Sequence, residues 1–582
     1  MLLPDELTFA RNRFRLVDRI FLPKLPVSQK IFFSLARGTG LLSILFMAAF
    51  IFHIPGPSGS LAASHDSSSS ANRSEPARAK LTRPDVVQFR ARAERIFSGP
   101  DAQKAFWGVL VEDRDTGQVL YDLNGDHFFT PASNAKIFTT IFALASLGPG
   151  YHYHTTLESS AVLDSDGRLH GDLLLVGRGD PDFSNWKIPY AGKIERDEPT
   201  ELPLAQLADA AVAKGLHEVD GDIVADDSYL PYDPYPAGWS IGDGFFSFGA
   251  PIGALTFNEN SITVIVSPGS RVGDPATFTI DPPEAAGGVT VRFSTSAASD
   301  SPDTGVGRQP GENFIFLRGT IPLGHAPVRV DLAMTDPAVT AGRTLRQLLE
   351  ARGVRVTGSV RVQHAAPPVS CISLNQNFVH AECLVPAPKY PSVFADHVSP
   401  PLIESVRLTN KVSQNLHAEL FLRTVAREKA GYGATDAGLW LEQDFLKTAG
   451  VPDGDVVLSD GSGLSRDDLV TPRAAVSILR YAAGEPWGPD YISTLPVAGV
   501  DGTLEDRMTG TAASGRIFAK TGTLEHVHSL CGFATTLRGE HLVFAMFGNN
   551  SAQKGRDSTS ELDQLAIAMV ETLGKPPARK KK

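Results

Sequence analysis

The chain has 582 residues, with 54 Lys and Arg against 65 Asp and Glu for a net charge of −11, and 42% of its residues are hydrophobic. That length exceeds one compact core and predicts three to four domain-sized units of ordinary globular composition. The acidic balance, with no basic stripe interleaved with aromatics, excludes nucleic acid as a partner; three cysteines with no CxxC pair, and no HExxH, give no ligand spacing for a metal.

Residues 1–37 form a basic N-terminal segment, with Arg11, Arg13, Arg15, Arg19, Lys24, Lys30 and Arg37 against Asp5, Glu6 and Asp18. An uncharged run follows over 38–54. Positive charge before an apolar run keeps an N-terminus in the cytoplasm. The run is somewhat shorter than the ~20 residues of a full span and longer than a usual signal-peptide core, so a signal anchor and a cleaved signal both stay open. Ser60-Leu61-Ala62-Ala63 would serve as the cleavage site. Either way the sequence predicts export to the periplasm or the outer face of the inner membrane, with the N-terminal segment as the membrane contact. Residues 55–84, rich in Ser and Ala, read as a flexible linker, and 575–582 as a basic tail.

The body opens with an apolar stripe over Asp85–Phe97 that predicts a helix. Phe106–Glu112 and Gln118–Asp122 read as a hairpin turning at Asp115-Thr116-Gly117. A helix is expected to begin near Ser133, after Pro131. From 154 to 397 the texture changes to alternating runs such as Gly171–Val176 and Asn260–Val266, punctuated by Gly and Pro. This stretch is expected to be a β-rich insertion of one or two subdomains. Helical texture returns at Asn415–Lys429, then a strand at His541–Phe547 and an amphipathic helix at Ser560–Leu573. The order predicts an α/β domain made of 85–153 plus 398–574 and split by the insertion. Cys371 and Cys383 could pair after export or remain two thiols; Cys531, in an apolar run, reads as a buried strand residue.

Three short motifs carry chemistry. Ser133-x-x-Lys136 at a helix start puts an amine on the same face as a hydroxyl, and a lysine driven toward its neutral form can activate a serine. Ser184/Lys187 and Ser551/Lys554 share the spacing but sit in loop-like sequence. Ser413-x-Asn415 before a helix offers a hydroxyl to pass a proton to a leaving amine and an amide to fix the lysine and bind substrate backbone. Ser70-x-Asn72 and Ser373-x-Asn375 also match. Lys520-Thr521-Gly522-Thr523 occurs once, after a strand-like run. A cation and hydroxyl there suit a carboxylate, Gly522 allows close backbone approach, and the Thr523 amide could join that of Ser133 as an oxyanion hole.

In this order the trio resembles penicillin-binding proteins and class A β-lactamases. Pro131–Lys136, Gly179-Asp-Pro181, Ser399–Leu402, Ser413–Glu419, Asp460–Arg466 and Leu495–Leu504 extend the likeness. Together they resemble the low-molecular-mass class C penicillin-binding proteins, the D-alanyl-D-alanine carboxypeptidase/endopeptidases of peptidase family S13. The long gap between the first two motifs suits that family and not a β-lactamase; Gln414 stands where the family more often has Asp or Asn. The resemblance implies a penicillin-binding, β-lactamase-like transpeptidase fold: an antiparallel sheet with helices on both faces. It also implies Ser133 as nucleophile, Lys136 as base, Ser413 as proton relay and Asn415 as orienting amide. Lys520, Thr521, Gly522 and Thr523 would hold the substrate. Peptidoglycan stem peptides would be the substrate and β-lactams the inhibitors, with no metal or cofactor. A β-lactamase or esterase on the same fold, and a non-catalytic wall-binding protein, are the alternatives that turnover of a D-Ala-D-Ala peptide and penicillin labelling would separate.

Overall fold

The computed structural model describes residues 83–197, 199–309, 312–365, 372–373, 378–379, 390–552 and 560–574. The chain opens with α1 (Pro84–Phe97), the hairpin β1 (Phe106–Asp113) and β2 (Val119–Leu123), a short turn of 3-10 helix over Ala132–Asn134, and α2 (Ala135–Leu147). After the insertion come α3 (Leu402–Val412), α4 (Asn415–Ala430), α5 (Thr435–Thr448), α6 (Pro472–Gly484) and α7 (Gly488–Thr494). The chain closes with β3 (Ile517–Leu524), β4 (Val527–Thr535), β5 (His541–Asn549) and α8 (Ser560–Thr572).

The two ends of the chain share one antiparallel sheet, in the order β2-β1-β5-β4-β3. Its strands are covered on both faces, and their alternation shows it. On β5, Val543, Ala545 and Phe547 face the core made with α2, α4 and α6, whereas Leu542, Phe544 and Met546 face the core made with α1 and α8. The fold class read from the sequence, an antiparallel sheet with helices on both faces, is the one observed.

Residues 154–398 build a second mixed sheet of five strands, ordered 360–365, 223–231, 173–176, 154–159, 392–398. Three three-stranded sheets and the helices Leu202–Ala213 and Pro337–Ala351 share its core. Those helices, and the parallel pairing of 173–176 and 360–365 with 223–231, are not announced by the alternating sequence. Helix 337–351 does carry a readable start, since Asp336 caps it from the Val339 amide (3.1 Å) and Pro337 follows.

The insertion begins and ends on neighbouring strands. His154–Ser159 runs antiparallel to Ser392–Val398. The pairing continues outward, with Ser399 N donating to Tyr153 O (3.0 Å), Leu402 N to Tyr151 O (2.8 Å) and Ile403 N to Pro149 O (3.1 Å). The chain therefore returns where it left, and α3 starts beside the end of α2.

Among the described residues no helix is long and apolar enough to cross a membrane, so the expectation of a transmembrane segment draws no support from them. The 38–54 run on which it rests lies outside the described residues, as do the linker up to residue 82, Cys371, Cys383 and the 575–582 tail. Cys531 is fully buried on β4, where burial pushes its thiol up, away from thiolate.

Candidate active site

Three backbone features bring the motifs together. Ala132 takes a left-handed conformation (φ 50°), turning the chain so that Ser133 starts the helical run at the end of the turn. Ser413 (φ 63°) closes α3, again left-handed, and Asn415 opens α4 two residues later. Strand β3 passes against the Pro131–Ser133 turn so closely that a Cβ on Gly522 would lie 2.6 Å from the Pro131 carbonyl. A side chain there would force the strand away from the serine.

Lys136 is fully buried. Its Nζ donates to Ser133 Oγ (3.0 Å), Asn415 Oδ1 (2.5 Å) and the Ser462 carbonyl (2.6 Å). All three acceptors are neutral, so no carboxylate touches the amine directly. Burial pushes its pKa down to about 8, against the pull of Asp460, Glu419 and Asp468 farther off. A minority of the amine, roughly a tenth, is then neutral at pH 7 in the empty site.

Lys520, also fully buried, donates to Ser413 Oγ (2.9 Å) and to the Thr521 carbonyl (2.8 Å). Burial drives its pKa well below the usual lysine value, and the neighbouring Lys136 adds to the fall. An arriving carboxylate would reverse this by supplying the missing counter-charge. Thr521 Oγ1 lies 2.8 Å from Thr503 Oγ1, and Thr523 is exposed at the open end of β3.

So hydrogen bonds join Ser133, Lys136 and Asn415, a second set joins Ser413, Lys520 and Thr521, and Gly522 lies against the turn that carries Ser133, with Thr523 next on the same strand. Of the competing pairs, the one whose two members are both described, Ser184/Lys187, does not form such a site. Ser184 is buried in the insertion and Lys187 is paired with Asp197 (3.4 Å) and Glu195 (3.8 Å). Lys554 and Asn375 lie outside the described residues, as do Ser70 and Asn72. The Gln414 side chain lies within reach of the buried Glu259.

The family model for D-Ala-D-Ala carboxypeptidase 3 (S13) matches residues 90–376 and 381–569. The chain belongs to the S13 D-Ala-D-Ala carboxypeptidase family. It is 33% identical over 510 residues to a D-alanyl-D-alanine carboxypeptidase of Actinomadura sp., covering 86% of this chain and 87% of that one. It is 27% identical over 451 residues to the D-alanyl-D-alanine carboxypeptidase DacB of Haemophilus influenzae, covering 76% of this chain and 85% of that one. The crystal structure of penicillin binding protein 4 (dacB) from Haemophilus influenzae shares the fold, with a TM-score of 0.69 at 24% identity, covering 82% of this chain and 98% of that one.

The S13 chain also brings residues to the site that the motif reading assigned no role. Asp460 gathers the amides of Gly463 (2.7 Å), Ser465 (2.8 Å) and Ser462 (3.2 Å) into a tight loop, which aims the Ser462 carbonyl at Lys136. Gly463 (φ 78°) is required in that loop, because a Cβ would lie 1.9 Å from the Ala132 carbonyl. Two contacts come from the insertion: Trp239 Nε1 donates to Asp460 Oδ2 (2.8 Å), and the Phe248 carbonyl accepts from Asn415 Nδ2 (2.7 Å). The Asp460–Arg466 run was visible as a family-like stretch, but a backbone carbonyl leaves no signal in residue type.

Proposed function

We propose that this S13 protein is a serine-type enzyme that cleaves peptidoglycan stem peptides through an acyl-enzyme on Ser133, as a carboxypeptidase on terminal D-Ala, an endopeptidase on cross-bridges, or both. The observation that carries this reading is the buried Lys136 amine 3.0 Å from Ser133 Oγ, held by neutral oxygens only. The neutral fraction of Lys136 takes the Ser133 proton as Oγ attacks the carbonyl of the penultimate D-Ala. The amides of Ser133 and Thr523 receive the oxyanion. The proton taken by Lys136 is returned through Ser413, which is in contact with Lys520, to the departing amine as the C–N bond breaks, so that Ser413 gains one proton as it gives one. Lys520 and Thr521 hold the terminal carboxylate, and Asn415 keeps Lys136 aligned. Water then attacks the ester and restores Ser133. β-Lactams acylate the same serine, since a lactam ring presents an acyl group and a carboxylate in the same relation. No step calls on a metal or cofactor. The basic segment and the 38–54 run support export to the periplasm or the outer face of the inner membrane.

The test is labelling with a fluorescent penicillin alongside turnover of a D-Ala-D-Ala peptide. Wild type should label and release D-Ala. Ser133→Ala should lose both while keeping its thermal midpoint within a few degrees, since a serine lost at a helix start costs about 0.5–2 kcal/mol. Label that persists in Ser133→Ala moves the nucleophile elsewhere. Penicillin turned over faster than peptide makes the protein a β-lactamase.

A further inference from the structure

The loop Leu495–Thr503, between α7 and β3, belongs to none of the three motifs, yet it is anchored on three sides. From α3, Lys411 is 3% exposed and donates to Asp501 Oδ1 (2.7 Å), Asp501 Oδ2 (2.6 Å) and the Leu495 carbonyl (2.7 Å). Asp501 Oδ1 also accepts from the Val497 amide (2.9 Å), closing the loop on itself. From β3, the Ala519 amide donates to the Pro496 carbonyl (2.9 Å). From the insertion, Tyr190 OH accepts from the Gly502 amide (3.2 Å). This scaffold ends at Thr503, whose hydroxyl is 2.8 Å from that of Thr521.

A hydroxyl has one proton to give and two lone pairs to offer. If Thr521 Oγ1 donates to a substrate carboxylate, it has nothing left to donate to Thr503, so Thr503 must be the donor between them. With Thr503 donating, the Thr521 proton has one direction left, outward. The paired hydroxyls then form an ordered chain in which each bond polarises the next. The Thr521 carbonyl is meanwhile held by Lys520 Nζ, so the residue is fixed at both its backbone and its side chain.

We propose that Thr503 is a positioning residue for substrate recognition: its hydroxyl donates to Thr521 Oγ1 and thereby aims the Thr521 O–H at the terminal carboxylate of the substrate. The inference rests on the reading of Lys520 and Thr521 as the carboxylate anchor. Thr503→Val keeps the shape and removes the donor. It should cut kcat/KM about 3- to 10-fold on a peptide ending in a free carboxylate, mainly through KM, because the contact exists in ground and transition states alike. A matched peptide amidated at its C-terminus should lose much less. Thr503→Ser restores the donor and should recover the acid substrate to within about twofold of wild type.

The experiment measures kcat and KM for the acid and amide peptides in wild type, Thr503→Val, Thr503→Ser and Lys520→Ala, with thermal midpoints to confirm folding. Lys520→Ala should lose about 10- to 150-fold on the acid and far less on the amide. Selective loss in Lys520→Ala with equal or no loss in Thr503→Val overturns the role of Thr503 and leaves the anchor standing. Equal loss on both peptides in Lys520→Ala overturns the anchor, and Thr503 with it. Failure of Thr503→Ser to recover the acid substrate also overturns the proposal, because the methyl and not the hydroxyl would then matter.

Discussion

Lys136 in the site and His364 in the insertion are both cationic groups set among acidic side chains, and the protein treats them in opposite ways. His364 Nδ1 lies 2.8 Å from Asp227 Oδ2, its Nε2 lies 3.5 Å from Asp336 Oδ2, and its ring stacks on Tyr232 at 3.8 Å between centroids. Hydrogen bonds to the two aspartates raise its pKa to about 9. Lys136 has carboxylates in its surroundings but touches none, and burial lowers its pKa to about 8. A cation in direct contact with carboxylates is locked in its charged form and serves as a fastener. A cation surrounded at close range by neutral oxygens is left able to give up its proton. Distance to the counter-charge, more than the number of acidic neighbours, separates structure from chemistry here.

The largest test of that contrast is removal of the two cations. Lys136→Ala should slow acylation of Ser133 by about 10²–10⁴-fold, read as the rate of penicillin labelling in protein that still melts cooperatively. His364→Gln should leave the acylation rate of folded protein unchanged. A comparable slowing in His364→Gln would erase the distinction.

A sharper test uses pH. Acylation should climb as Lys136 loses its proton, levelling above about pH 8 in the free enzyme. Asp460→Asn removes the largest influence holding that pKa up, so the rising limb should move to lower pH. A limb that stays in place would mean that Asp460 acts on Lys136 only through the geometry of the Ser462 carbonyl.

The smallest expected effect is on stability. His364 binds its proton more tightly in the folded protein than its ordinary value of 6.5, so its contribution is full below about pH 6.5 and fades as pH rises through about 9. His364→Gln should therefore cost about 2 kcal/mol at pH 6, allowing for partial exposure of the ring, and much less at pH 9.5. Denaturant unfolding at the two pH values reads the difference. An equal cost at both would assign the residue to packing against Tyr232 instead of to charge.

Much of this was legible in the sequence, for identifiable reasons. Element starts and ends, such as the turn before α2 and the stripe of α8, are local patterns and appear where the periodicity put them. The trio of motifs is written in residue types, so its members could be named. What escaped is written in backbone atoms or in distance. The Ser462 and Phe248 carbonyls contact Lys136 and Asn415 without any requirement on their own side chains. Trp239 meets Asp460 across 221 positions, and no local signal encodes that meeting. Thr503 was within a quoted stretch, but its partner became clear only once β3 was placed beside it.

The zipper formed by 149–159 and 392–403 has a consequence for how the protein acquires its reactivity. Lys136 and Asn415 touch at 2.5 Å although 279 positions separate them. Closing so long a loop costs entropy before any contact rewards it, and the insertion shortens the loop by folding its own ends side by side. Without α4 and the 460–465 loop in place, Lys136 would not be covered. The lysine then stands in water with an ordinary pKa near 10.4, and Ser133 has no base. On the proposed mechanism an unfolded chain would therefore be inert at Ser133, and folding itself would supply the base.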